Sequence, residues 1–211
     1  MNELRIVYRD AVERVAAIAA SVDEAAAKRA VPATPAWTVH DLLAHLAGSA
    51  NDAINGRMDG APGRAWTNRQ VVERRSATTA ALGEELTRFG GELAQTHLDG
   101  NRPNPGWDLL IHEQDLREAL GLERAPAEVV ELLLPQVVAF LTKEPALQGF
   151  DVRTSENLWT IGTPISVVSL NGDDYELLRI LFSRRTTEQI ARVSDGLALL
   201  EGATFFGPRT E

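Results

Sequence analysis

The chain has 211 residues, a formal net charge of −9 and no cysteine. Its length allows one large domain or two small ones, and its composition is that of a soluble globular protein. The negative charge argues against a nucleic acid partner, because proteins that bind phosphates usually carry a basic stripe. The lack of cysteine excludes disulfides, thiolate zinc sites and a cysteine nucleophile, so any thiol in the chemistry must come from a cosubstrate.

Neither a membrane segment nor a signal peptide is expected. The sequence contains no run of the roughly 18 apolar residues that a membrane-spanning helix needs. The N-terminal stretch M-N-E-L-R-I-V-Y-R-D is too charged for a signal peptide. We therefore expect a cytoplasmic protein with no membrane partner.

The first part of the chain has the pattern of four helices joined by loops rich in proline and glycine, which is typical of a helical bundle. A capping box of Thr38 and Asp41 marks the start of the second helix, and a potential interruption of the third lies at Gly90 and Gly91. The expected helices are Asn2 to about Ala30, a second beginning at Thr38, Thr67 to Leu98, and a fourth that Gly121 ends.

The remainder of the chain is expected to mix helices with short strands. A helix is predicted over Glu128 to Leu141, where Pro135 either introduces a kink or marks the end. Strands are then predicted at F-D-V-R-T, L-W-T-I-G and P-I-S-V-V-S-L, followed by helices at Y-E-L-L-R-I-L-F and Thr186 to Val193. The predicted class is α+β, with residues 1–124 as a four-helix bundle and residues 125–211 as a small α+β domain.

The fourth predicted helix carries a polar strip in the middle of its apolar face. Asp108, His112 and Asp115 are spaced i, i+4 and i+7, and this spacing aligns them on one side of a helix. Such groups are costly to bury unless they are paired or bound to a metal. The alternatives are a metal site and a structural ion pair between His112 and Asp108. The side chains expected to face solvent are Glu113, Gln114, Arg117 and Glu118.

The second predicted helix carries another inward histidine. His45 shares its face with the small residues Gly48 and Ser49 and with the carboxylate of Asp52, which leaves room for a bound group. The alternative is a core histidine that donates to a backbone carbonyl. This segment alone does not decide between them.

Taken together, W-T-V-H-D-L-L-A-H-L and L-L-I-H-E-Q-D-L-R-E-A-L-G resemble the mycothiol-dependent maleylpyruvate isomerase family of actinobacteria, which is related to the DinB-like metalloenzymes. The resemblance implies a DinB-like four-helix bundle followed by an α+β domain similar to sterol-carrier folds. The stretch G-D-D-Y-E-L-L-R-I-L-F-S-R-R-T-T-E-Q-I resembles the second domain of that family. Ser183 stands where we expect a glycine before the paired arginines.

The resemblance also implies a metal site made of His45, Asp108 and His112, with zinc as the expected divalent ion. Asp108 departs from the family pattern, because the family has the longer glutamate at this position. Asp115 is expected to orient a ligand histidine or to pair with a cation. The other expected site residues are Ser49 and Asp52 for binding the cofactor, and Arg184 and Arg185 for binding a carboxylate or the cosubstrate.

The function that the resemblance implies is a mycothiol-dependent isomerase or S-transferase that acts on a small electrophile. Two alternatives stay open: a non-catalytic metal-binding or stress-response protein with a degraded site, and a metal-dependent hydrolase. The expected partners are the electrophile and a low-molecular-weight thiol, and the chain is expected to be a monomer or a homodimer.

Overall fold

The protein is described by a computed structural model over residues 3–96, 98 and 104–209. It divides into two compact units, Met1–Ala125 and Pro126–Glu211. The expected α+β class is confirmed, with helices predominating and a small sheet in the second unit. Among the described residues, no helix is both long enough and apolar enough to cross a membrane.

The first unit is a four-helix bundle with one helix packed on its outside. Helices α1 and α3 each contact α5 and α6, and α4 packs against α3. A two-stranded hairpin leads into α3, and its first strand contacts α6. The elements are α1 Glu3–Ser21, α2 Glu24–Ala27, β1 Ala30–Val31, β2 Thr34–Thr38, α3 Val39–Ile54, α4 Arg64–Arg74, α5 Thr79–Thr96 and α6 Pro105–Leu120.

The first helix is shorter than predicted, because it ends at Ser21 instead of continuing to Ala30. The side chain of Asp23 accepts a hydrogen bond from the backbone N–H of Ala26 and starts the short helix α2. The antiparallel strands β1 and β2 follow. The capping box predicted at Thr38 and Asp41 is confirmed, so the hairpin ends at the residue that begins α3.

The predicted third helix is two helices, α4 and α5, and the glycines expected to interrupt it do not. Helix α5 runs without a break through Gly90 and Gly91. A Cβ atom at Gly90 would lie 2.8 Å from Cγ2 of Val12, and one at Gly83 would lie 3.1 Å from the carbonyl oxygen of Ala16. Gly83 and Gly90 therefore allow α1 to approach α5 closely.

Helix α6 begins and ends as its sequence predicts. The Asn104 side chain accepts hydrogen bonds from the backbone N–H groups of Gly106 and Trp107, and Pro105 is the first helical residue. Gly121 ends the helix with a φ of 68°, in the left-handed region that glycine adopts without strain.

The prediction that Glu113 and Gln114 face solvent is wrong, because α6 has neighbours on several sides. The Glu113 carboxylate is buried and accepts hydrogen bonds from both Arg14 and Arg117. The Gln114 side chain is also buried, and its Oε1 accepts a hydrogen bond from the backbone N–H of Ala125. These partners compensate the Glu113 carboxylate and the Gln114 oxygen for the water that they lose, whereas Nε2 of Gln114 is buried without a hydrogen-bond partner among the described residues.

The second unit places three short strands among helices. Strand β3 lies between the other two, antiparallel to β4 and parallel to β5, and all three lie in the predicted stretches. Pro135 does not end its helix, and the helix Leu197–Gly202 was not predicted. The similarity to sterol-carrier folds stays a prediction. The elements are α7 Glu128–Leu141, β3 Phe150–Arg153, β4 Leu158–Ile161, β5 Val167–Ser169, α8 Asp174–Leu181, α9 Thr187–Val193 and α10 Leu197–Gly202.

The residue that stands in place of the expected glycine adopts a glycine-like conformation. Ser183 follows α8 with a φ of 59°. This left-handed conformation costs an L-residue roughly 1–2 kcal/mol, because Cβ comes too close to the backbone. The Oγ atom of Ser183 accepts a hydrogen bond of 3.2 Å from the backbone N–H of Phe206, which offsets part of that cost.

Candidate metal centre

Helices α3 and α6 bring His45, Asp108 and His112 together. One ligand atom from each side chain lies within 4.8 Å of the other two. The Nε2 atom of His45 lies 3.2 Å from Oδ2 of Asp108, and Nε2 of His112 lies 3.5 Å from Oδ1. Both imidazoles are buried, whereas the Asp108 side chain is 32% exposed. The cluster therefore reaches solvent on the side of its carboxylate.

The hydrogen bonds behind His45 determine which ring nitrogen faces Asp108. Nδ1 of His45 lies 2.7 Å from Oε1 of Gln70, and Nε2 of Gln70 donates to Oδ2 of Asp52 at 2.8 Å. An ionised carboxylate only accepts hydrogen bonds, so the Gln70 amide must present its oxygen to the ring. His45 Nδ1 is consequently the donor, and Nε2 of the ring lies toward Asp108.

The second histidine is held in the same way by a residue of its own helix. Nδ1 of His112 lies 2.8 Å from Oδ2 of Asp115, a buried carboxylate three residues further along α6. The ring therefore donates from Nδ1 and turns Nε2 toward Asp108. This is the arrangement in which a histidine that binds a metal is oriented by a carboxylate or amide behind it.

Two imidazole nitrogens and a carboxylate lie close enough together to hold a cation between them. Tetrahedral ligands about 2.1 Å from a zinc ion lie roughly 3.4 Å from one another. The two measured nitrogen–oxygen distances, 3.2 and 3.5 Å, match that spacing. They exceed the roughly 2.7–2.9 Å of a charge-assisted N–H···O hydrogen bond. The donor set and its spacing could therefore hold a divalent metal.

Aromatic side chains surround the imidazoles. The Trp37 ring, at the end of β2, lies 4.9 Å from the His45 ring and 5.9 Å from the His112 ring. The buried Trp66 of α4 makes an edge contact with His45 at 6.0 Å. On α1, Tyr8 is buried, and burial followed by the Asp108 charge raises the pKa of its phenol. The phenol therefore stays protonated at neutral pH.

Ser49 and Asp52, both expected to bind the cofactor, lie at different distances from the cluster. The Ser49 hydroxyl donates to Oδ2 of Asp108 at 3.3 Å, so it touches a candidate ligand directly. Asp52 lies behind Gln70, and its carboxylate accepts hydrogen bonds from Gln70 and Arg69. Cofactor binding by these two residues stays a prediction.

The space that small residues of α3 were expected to leave is filled by α4. A Cβ atom at Gly48 would lie 2.6 Å from Cβ of Gln70 and 2.9 Å from Nη1 of Arg74. Gly48 thus permits the close packing that brings the Gln70 amide to His45. The expectation that this face leaves room for a ligand is wrong for the side of Gly48.

Arg184 and Arg185 lie in the second unit and contact residues of that unit. Arg184 is buried, its Nη1 donates to the carbonyl of Phe182 at 2.7 Å, and its guanidinium lies over the Phe206 ring. Arg185 forms a bidentate pair with Glu176, with distances of 2.7 and 3.0 Å. The role expected for the two arginines in substrate binding stays a prediction.

Sequence reasoning did not select Gln70, Tyr8 or Trp37 as site residues. A glutamine in a helix with many polar residues carries no signal of burial, and its role depends on the packing of α4 on α3. Trp37 stands directly before the capping box, which is the one local signal that could have placed it near His45.

Comparison with known families gives a match in the N-terminal region. The family model described as the mycothiol maleylpyruvate isomerase N-terminal domain matches residues 8–96. The matched range lies within the first unit. The matched range of the mycothiol maleylpyruvate isomerase N-terminal domain includes His45, Gln70 and Asp52, and it ends before α6 supplies Asp108 and His112.

Two solved structures share the fold of the chain. A crystal structure of a histidine-to-alanine mutant of the mycothiol-dependent maleylpyruvate isomerase has a TM-score of 0.59 at 14% identity, covering 98% of this chain and 95% of the other. A second crystal structure of the mycothiol-dependent maleylpyruvate isomerase has a TM-score of 0.57 at 14% identity, covering 87% and 89%. No curated protein sequence matches the chain. The likeness therefore extends from the N-terminal domain to the fold of the whole chain.

Proposed function

We propose that this chain is a metal-dependent enzyme that uses mycothiol as a cosubstrate to isomerise a small electrophile or to transfer the thiol to it. The observation that carries the proposal is the cluster of two buried imidazoles and one carboxylate whose ligand atoms lie within 4.8 Å of one another. The family of the N-terminal domain and the shared fold support the choice of thiol chemistry.

His45, Asp108 and His112 would hold the ion. We propose zinc, because two imidazoles and a carboxylate suit this metal. When bound, the ion would lower the pKa of a coordinated thiol, so that thiolate is available at neutral pH. The cysteine-free chain requires this thiol to come from outside.

The chain's own residues would keep the ligand atoms in position. Gln70 and Asp115 hold the two imidazoles in the tautomer that presents Nε2, and the Ser49 hydroxyl donates to Asp108. Groups fixed in advance in this way need no reorganisation when the substrate arrives. The rings of Trp37 and Trp66 would limit the access of water to the imidazoles.

The proposed isomerisation forms one carbon–sulfur bond and then breaks it again. The thiolate sulfur adds to one carbon of an activated double bond, which becomes a single bond and rotates. Elimination then breaks the carbon–sulfur bond, restores the double bond in its other geometry and regenerates the thiol. In an S-transferase the carbon–sulfur bond remains, and a proton completes the thioether product.

The test is turnover of electrophiles with activated double bonds, maleylpyruvate among them, in the presence of mycothiol. We expect product with metal and thiol present, and a loss of at least about 100-fold in Asp108→Asn. Glu118→Gln is the matched control, since Glu118 is an exposed carboxylate of the same helix. The assay uses the purified full-length chain, whose expected oligomeric state is a monomer or a homodimer.

Two results would contradict the proposal. Hydrolysis of ester or amide substrates without any thiol, abolished by Asp108→Asn, would favour a metal-dependent hydrolase. Metal binding with no turnover across the electrophile panel would favour a non-catalytic binding protein.

A further inference from the structure

We propose that Gln70 is a positioning residue that connects His45 to the buried carboxylate of Asp52 and fixes the tautomer of the candidate ligand. The inference rests on the proposed metal-dependent function and goes beyond it, because Gln70 belongs to a different helix from the three candidate ligands. It concerns the hydrogen bonds behind His45, which exist whether or not a metal is bound.

The Gln70 side chain is 0% exposed, so each of its polar atoms needs a partner within the protein. Its Oε1 lies 2.7 Å from Nδ1 of His45, and its Nε2 donates to Oδ2 of Asp52 at 2.8 Å. The two bonds use the opposite ends of one amide. Turning the amide over would place its N–H groups against the His45 N–H and its oxygen against a carboxylate, so only one orientation is satisfied.

Two arginines compensate the negative charge of Asp52. Nη2 of Arg69 donates to Oδ2 of Asp52 at 2.7 Å, and Nε of Arg57 lies 3.3 Å from Oδ1. The neutral amide of Gln70 therefore orients the His45 ring, and it lies between that ring and the negative charge of Asp52. His112 differs, because the carboxylate of Asp115 contacts its ring directly.

Packing of α4 against α3 holds the amide in place. Gly48 lies so close to Gln70 that a Cβ atom there would be 2.6 Å from Cβ and 2.7 Å from Cγ of the glutamine. The Nη1 atom of Arg74 donates to the backbone carbonyl of Gln70 at 3.3 Å. The position of the amide is thus set by the interface between two helices, so Gln70 serves His45 as a rigid partner.

The first experiment reads the tautomer of His45 without any metal. Long-range nitrogen–proton correlation NMR of the metal-free protein distinguishes a ring protonated at Nδ1 from one protonated at Nε2. We expect Nδ1 of His45 to carry a proton in the wild type, whether or not Nε2 is also protonated, and to lose it in favour of the Nε2–H form in Gln70→Leu. An unchanged Nδ1–H form in Gln70→Leu would overturn the proposal.

The second experiment measures the affinity for zinc by competition with a chelator. Removing the partner behind a metal-bound histidine typically weakens affinity by about 10–100-fold, which is the loss expected for Gln70→Leu. Gln114→Leu is the matched control, because Gln114 is also a buried glutamine whose Oε1 accepts one hydrogen bond. This control should lose stability and keep its zinc affinity within about threefold, since its amide faces Ala125.

A paired substitution keeps the test decisive if Gln70→Leu does not fold. In the double variant Gln70→Glu with Asp52→Asn, the amide and the carboxylate exchange places. The new carboxylate can accept from the His45 ring and from the new amide, so we expect zinc affinity at least equal to that of the wild type. A loss of about tenfold or more in the folded double variant would overturn the proposal.

The outcomes separate this proposal from the proposed function. If the wild type binds no zinc, the metal-dependent function fails, whereas the NMR experiment still tests the tautomer. If the wild type binds zinc and Gln70→Leu unfolds more readily with unchanged affinity, Gln70 is a structural residue only and the positioning role is refuted.

Discussion

The Nδ1 atom of His112 lies 2.8 Å from Oδ2 of Asp115, three residues further along the same helix. This spacing lets one helical face hold both a candidate ligand and the group that orients it. The Asp115 carboxylate is fully buried, so its charge acts on the imidazole with little screening by water. The contact makes His112 a stronger electron donor than a histidine backed by a neutral group.

Asp115→Asn is therefore expected to weaken zinc binding by about 10-fold or more while the protein stays folded. The measurement is chelator competition, with circular dichroism as the check on folding. Glu118→Gln removes an exposed carboxylate from the same helix and serves as the control. Equal zinc affinity in Asp115→Asn and the wild type would show that the contact only stabilises the helix.

Gly48→Ala is expected to disturb both stability and the site. The added methyl would lie 2.6 Å from Cβ of Gln70, so α4 must move away from α3. Overpacking of this kind costs about 1–3 kcal/mol in the free energy of unfolding. The displaced amide should also weaken zinc binding. Urea denaturation and zinc competition measure the two effects.

Gly91→Ala is the matched control for that substitution, because a Cβ atom at Gly91 has no described heavy atom within 4 Å. Gly91 lies inside α5, where alanine is favoured over glycine by about 0.5–1 kcal/mol. This variant should be slightly more stable than the wild type. A Gly48→Ala protein as stable as Gly91→Ala would contradict the close packing of α3 and α4.

Because of Glu85, we expect the free energy of unfolding to depend on pH in the acid range. Burial opposes ionisation of its carboxyl, but hydrogen bonds from Arg74 and Asn51 outweigh this and lower its pKa from the ordinary value of 4.5. A carboxyl whose pKa is lower in the folded state stabilises the protein above its unfolded pKa, and this contribution is lost as the pH falls through the folded pKa.

Glu85→Gln should consequently lower the free energy of unfolding by about 1–2 kcal/mol at neutral pH. The difference from the wild type should shrink as the pH falls below the ordinary carboxyl pKa. Urea denaturation of both proteins across the acid range measures this. A difference that stays constant with pH would mean that the charge of Glu85 contributes nothing.

Ser183 offers a test of backbone strain in the second unit. Ser183→Ala and Ser183→Gly both lose the hydrogen bond from the Phe206 N–H, but only glycine relieves the cost of a φ of 59°. The glycine variant should therefore be more stable than the alanine variant by about 1 kcal/mol. Thermal unfolding measures the difference. Equal stability would show that the turn is not strained.

The sequence predicts those features that depend on local patterns. The capping box at Thr38, the left-handed Gly121 and the positions of the three strands follow from residue types that act over a few positions. The i, i+4 spacing of Asp108 and His112 places both on one helical face in the same way.

The features that the sequence does not predict depend on contacts between distant segments. Glu113 has the pattern of a solvent-exposed residue, and it is buried because Arg14 reaches it from another helix. The role inferred for Gln70 likewise depends on the packing of α4 against α3, which leaves no periodic signal in the sequence. Helix periodicity identifies the faces of each helix, but not which polar residues find partners there.

The most direct test of the central claim is zinc titration of the chelator-treated protein by isothermal calorimetry, repeated with His45→Ala, Asp108→Asn and His112→Ala. We predict one zinc ion bound per chain in the wild type and a loss of at least about 100-fold in affinity in each variant. Zinc affinity that is absent from the wild type, or unchanged by all three substitutions, would contradict the account.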